Sequence, residues 1–125
     1  SVCRAYELLH KRGLLAFPLT ASAKEKVDTI IATITGTFYG HEIYPTAEEK
    51  AVAYLYFLIK DHPFTDGNKR TATLVFSIVC ALNQMEPRYG EDTWMLDALA
   101  VFIEKIKEDD HQSVIRKIAN LLFRP

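Results

Sequence analysis

Apolar residues recur at helical spacing along most of the chain. From Val2 to Lys11 the positions Val2, Ala5, Tyr6, Leu8 and Leu9 trace one face and Gly13 stops the run, which predicts a short first helix. Ser22 followed three positions later by Glu25 has the form of a capping box, and Val27, Ile30, Ile31 and Ile34 then give one apolar stripe to about Thr35. Gly36 opens Thr37, Phe38, Tyr39, Gly40, His41, Glu42, Ile43 and Tyr44, a stretch of aromatic and β-branched residues around a glycine that Pro45 closes. It reads as a hairpin or flap. Thr46 and Glu49 repeat the capping-box pattern before an apolar run from Ala51 to Ile59. A helix hydrophobic on every side is buried, so this third helix is the expected core. It must end near Asp61, because His62 precedes Pro63 and the residue before proline is pushed out of the α region. A second strongly apolar helix runs from Asn68 through Leu74, Val75, Phe76, Ile78, Val79 and Leu82 toward Asn83. Asp92 or Thr93 can cap a fifth helix, through Trp94, Leu96, Leu99, Phe102, Ile103 and Ile106, and Asp110 a sixth, with Val114, Ile115, Ile118, Leu121 and Leu122. The predicted fold is all-α, with two central helices, amphipathic helices around them and one small β element.

Composition narrows the classes. The 125 residues are 49% hydrophobic and 25% charged, an ordinary globular balance that excludes disorder and suits one domain over residues 1–125. No apolar stretch approaches the ~20 residues of a membrane span, and no signal-like leader opens the chain, so a cytoplasmic protein with no membrane partner is expected. Fifteen Lys and Arg against sixteen Asp and Glu leave a net charge of −1, without the basic field that nucleic-acid binding requires. Cys3 and Cys80 lie far apart without CxxC spacing and are expected as buried reduced thiols. Any chemistry must come from local placement.

That placement falls between the two central helices, in His62-Pro63-Phe64-Thr65-Asp66-Gly67-Asn68-Lys69-Arg70. A glycine-opened helix N-terminus offers free N–H groups and the positive dipole end to an anion. Lys69 and Arg70 run against the acidic preference of a first helical turn, which a bound phosphate would explain. The segment is not a Walker A loop, since the Gly-Lys-Ser/Thr order is missing and no glycine stands five residues before Gly67. Each residue also has a plain structural role open to it: His62 as a cap for the preceding helix, Asp66 as an N-cap for the next, Lys69 and Arg70 as a solvated pair. Phe64 reads as a core anchor. Together, however, a general base, a carboxylate, a backbone nest, an amide and a guanidinium converge on one loop.

These residues, continued by Thr71-Ala72, resemble the signature of the Fic/Doc (Fido) superfamily, and most closely its Doc (death-on-curing) branch. The resemblance extends over the hairpin, its approach to the third helix and both central helices, roughly Ala32 to Asn83; the ends match only in helical character. It implies a Fido-type helical bundle that uses ATP as co-substrate to modify a Ser, Thr or Tyr hydroxyl of a target protein. His62 would be the general base. Asp66 would hold Mg2+, and Gly67, Asn68, Lys69 and Arg70 would bind nucleotide phosphates. Residues Thr37 to Tyr44 would form the flap on which the target docks as an added strand. A plain connector with its aromatics packed inward is the competing reading of that flap.

Two departures from the AMP-transferring Fic branch bear on the transferred group. That branch carries glycine where this chain has Lys69, a cation expected to fill the anion hole, and lysine is the Doc-branch choice. It carries a further arginine at Thr73. Both favour phosphoryl transfer; Fic-type AMP transfer and a catalytically silent nucleotide-binding module are the alternatives. The family's inhibitory Ser/Thr-x-x-x-Glu-Gly/Asn helix has no counterpart here, so restraint is expected from an antitoxin of a toxin–antitoxin pair or from a segment outside this chain. The start at Ser1, inside a helical pattern, is what a domain excised from a longer chain would show.

Overall fold

The computed structural model describes residues 1–107 and 110–123. Its elements are α1 (Val2–Lys11), α2 (Ala21–Thr35), β1 (Thr37–Phe38), β2 (His41–Glu42), α3 (Ala47–Lys60), α4 (Asn68–Leu82), α5 (Trp94–Lys105) and α6 (His111–Phe123). The architecture is all-α with one small two-stranded hairpin, as the periodicity predicts.

Local chemistry explains most boundaries. Thr46 Oγ1 accepts from the Glu49 N–H at 3.0 Å and starts α3, and Asp110 Oδ1 accepts from the Ser113 N–H at 3.1 Å at the head of α6. At α2 the cap is Thr20, whose hydroxyl accepts from the Ala23 N–H at 3.0 Å, and not Ser22. A capping residue needs extended backbone; Thr20 has it, at φ −97° and ψ 160°, whereas Ser22 falls inside the first turn. The side-chain cap expected for α5 does not form either: Thr93 already has helical backbone.

Helix α3 is the centre. Every residue from Ala51 to Ile59 except Tyr54 is buried, and α3 packs on α2, α4, α5 and α6, most extensively on α4. Helix α1 packs on α4 and α2. Cys80 is buried, which lifts its thiol pKa to about 11, whereas Cys3 is only half-buried; neither forms a disulfide. Among the described residues no helix is long and apolar enough to cross a membrane.

Between α2 and α3 the strands pair antiparallel, Thr37 opposite Glu42 and Phe38 opposite His41. Tyr39 and Gly40 join them with φ of 51° and 80°. Two consecutive positive φ values match the right-handed twist of a two-residue hairpin, and glycine takes the second without steric cost.

Candidate active site: the loop between the central helices

Helix α3 ends at Asp61, whose N–H still bonds the Phe57 carbonyl at 2.9 Å. His62 then turns the chain with φ 46°, a left-handed backbone that costs a residue with a Cβ roughly 1–2 kcal/mol. Strain of this kind persists where the surroundings over-determine it. Here the surroundings are Phe64 and Asn68. Phe64 is buried and stacks on Tyr6 of α1, ring centroids 4.3 Å apart, while the Tyr6 hydroxyl donates to the Phe17 carbonyl at 2.7 Å. Asn68, 7% exposed, accepts from the Phe64 N–H and donates to the Phe64 carbonyl, both at 3.0 Å. That reciprocal pair dictates which end of the amide is oxygen. Its Nδ2 therefore also faces His62 Nδ1, at 3.5 Å, the outer edge of hydrogen-bonding range. The amide expected to grip phosphate thus also shapes the loop and backs the histidine.

Gly67, not Asp66, occupies the N-cap of α4, with φ 79° and no side-chain cap bond. The first N–H groups of α4 are left without a side-chain acceptor there, the condition for an anion-binding helix end. Glycine is required twice over: a Cβ at this position would stand 2.1 Å from Leu15 Cδ2, besides the positive φ. Asp66 is exposed beside the nest, and its charge adds to burial in raising the Tyr6 pKa.

The two cations lead in different directions. Arg70 Nη1 donates to the Leu14 carbonyl at 2.5 Å, which fixes one corner of the guanidinium and leaves its other N–H groups available. Lys69, expected in the anion hole, turns its side chain toward α5. Its ammonium lies 3.2 Å from Glu104 Oε2 on α5. A cleft of about 200 Å³ between α4 and α5 follows, lined by Lys69, Arg70, Thr73, Asp97, Ala100 and Val101.

Sequence reasoning missed Leu14, Leu15 and Glu104. They touch the loop from segments 56, 52 and 35 residues away, and nothing in their local spacing signals it. Asp61 is largely exposed, but partial desolvation raises its carboxyl pKa, and the nearby His111 opposes that rise.

The hairpin residues divide. Phe38 and Tyr39 are 66% and 87% exposed, their rings meeting edge to face at 4.5 Å, and Thr37, Gly40, His41 and Glu42 are exposed with them. Ile43 is half-buried and its carbonyl accepts from Gln112 Nε2 at 3.1 Å. Tyr44 is in the core, 3% exposed and edge-on to Phe57. Lys50 holds the base, pairing with Glu42 at 3.0 Å and donating to the Tyr44 carbonyl.

A curated relative, "Toxin Doc" of Mycolicibacterium smegmatis, is 44% identical over 46 residues, which is 37% of this chain and 35% of the relative, so the chain spans about a third of the length of the protein it matches. No solved structure matches the chain significantly. The family model described as "Fic/DOC family" matches residues 4–80, more than half of the chain and the whole of both the hairpin and the loop. The chain therefore belongs to the Fic/DOC family.

Proposed function

We propose that this chain is an ATP-using transferase that moves a phosphoryl group onto a Ser, Thr or Tyr hydroxyl of a target protein. The observation that carries the reading is the gathering, on one braced loop, of an exposed imidazole, an exposed carboxylate and an uncapped helix N-terminus with a tethered guanidinium beside it. His62 takes the hydroxyl proton as the target oxygen bonds to the γ-phosphorus and the bond to the bridging oxygen breaks, releasing ADP. The Gly67 nest and Arg70 hold phosphate oxygens, with Lys69 drawn in from α5, and Asn68 keeps the loop and the histidine in place. Among the described residues no three His, Cys, Asp or Glu side chains gather to hold a metal. Asp66 suits Mg2+, which is bound through one or two carboxylates plus substrate phosphates and would neutralise phosphate charge. Cytoplasmic ATP would supply the co-substrate.

The exposed aromatic hairpin supports docking of the target as an added strand. The name of the relative supports a toxin restrained by an antitoxin partner outside this chain. One observation favours AMP transfer as a second reading: Lys69 is held by Glu104, so its side chain need not exclude an α-phosphate.

Incubation of a cell lysate with ATP labelled separately at the α and γ positions tests the proposal. Label from γ alone, lost in His62→Ala while that variant still binds nucleotide, is the expected result. Label from α establishes AMP transfer instead, and no label from either position establishes a silent binding module.

A further inference from the structure

The fate of Lys69 depends on a residue outside the signature. Its ammonium sits against both carboxylate oxygens of Glu104, at 3.3 and 3.2 Å, and the side chains are 46% and 33% exposed. Glu104 lies in the last turn of α5 and reaches Lys69 in the first turn of α4. An ion pair this exposed shifts an equilibrium by about fivefold at most. It is too weak to hold a lysine against a multiply charged phosphate in the adjacent nest, yet sufficient to set where the lysine rests when the nest is empty.

We infer that Glu104 is a positioning residue for nucleotide binding: it holds Lys69 along α5 in the resting site and surrenders it to the phosphates of ATP. The inference rests on the nucleotide-binding reading proposed above. Two effects follow from the carboxylate. Lysine must leave it before engaging phosphate, and its own negative charge repels the arriving anion. Both weaken nucleotide binding, and the first operates only through Lys69.

Titration calorimetry with ATP and magnesium on the parent, Glu104→Gln, Lys69→Ala and the double variant tests this. Gln keeps the shape of Glu and removes only the charge. Glu104→Gln is expected to bind ATP about two- to fivefold more tightly than the parent, the range that a lost exposed pair allows. In the Lys69→Ala background the same substitution should give a clearly smaller gain. A purely structural role for Glu104 would not make its effect depend on Lys69 in this way. The advantage should also shrink as salt is raised. If the parent binds ATP but Glu104→Gln binds it equally or less tightly, or if the gain is undiminished without Lys69, the inference is overturned and the nucleotide-binding reading stands. If no variant binds ATP with magnesium, both fall together.

Discussion

Asn68 shows how a residue's role emerges from its surroundings. As one letter in a polar loop it reads as a phosphate ligand, but its amide closes a ring with the Phe64 backbone and faces His62. Removing it would leave a buried N–H and a buried carbonyl unpaired, which costs about 1–3 kcal/mol for each group left unsatisfied. Asn68→Ala is accordingly expected to lose about 2 kcal/mol or more in urea unfolding, and to release His62 from its left-handed backbone. A loss confined to nucleotide affinity, with stability unchanged, would assign the amide to phosphate after all.

At the scale of elements, the hairpin and the end of α3 behave differently from the helices that frame them. Phe38 and Tyr39 are largely exposed and meet each other, while Tyr44 six residues after Phe38 is part of the core. Replacing Phe38 and Tyr39 by Ser should shift the melting temperature by no more than about 5 °C, because exposed substitutions change stability by only about 0.5 kcal/mol each. The same pair of changes should sharply reduce labelling of a target protein, and retention of full labelling would remove the hairpin from docking. Tyr44→Ala, in contrast, should cost about 3 kcal/mol, as for other large buried side chains.

The end of α3 carries a pH signature. Asp61 stands where the helix dipole is negative, and partial desolvation raises its pKa above the ordinary 3.8 despite His111. A carboxyl whose folded pKa is raised disfavours the folded state once ionised. That penalty is fully present above the raised pKa and vanishes below about 3.8. Asp61→Asn should therefore be more stable than the parent at neutral pH, with the gap closing as pH falls through the raised value. Thermal melts across pH 3 to 7 read this directly, and a constant gap would mean that ionisation is not its source.

Over the whole molecule, α1 and the segment after it serve as the support of the loop between α3 and α4. Tyr6 stacks on Phe64, Leu14 holds Arg70 and Leu15 packs on the Cα of Gly67, so the chain's first fifteen residues brace the chemistry at residues 62 to 70. Gly67→Ala tests the support. It should destabilise the fold by at least the 1–2 kcal/mol of a left-handed alanine, plus the cost of displacing Leu15. Combining it with Leu15→Ala should give a total loss smaller than the sum of the single losses, because the truncated side chain no longer meets the new methyl. Strict additivity would show that only backbone strain is at work.

The helices, their order and the central place of α3 were legible in the chain, because apolar periodicity and caps such as Thr46 and Asp110 act within one or two turns. The loop's chemistry was legible for a similar reason: its ionisable groups are consecutive. The start of α2 was not legible, since Ser22 and Thr20 are chemically alike and only the extended backbone at Thr20 selects between them. Which hairpin aromatics face out, what Asn68 bonds and where Lys69 and Arg70 point were settled by tertiary structure alone. Those contacts join positions up to 56 residues apart. Local patterning acts through neighbours along the chain, whereas a carbonyl at Leu14, a methyl at Leu15 and a carboxylate at Glu104 meet the loop only once the helices have packed.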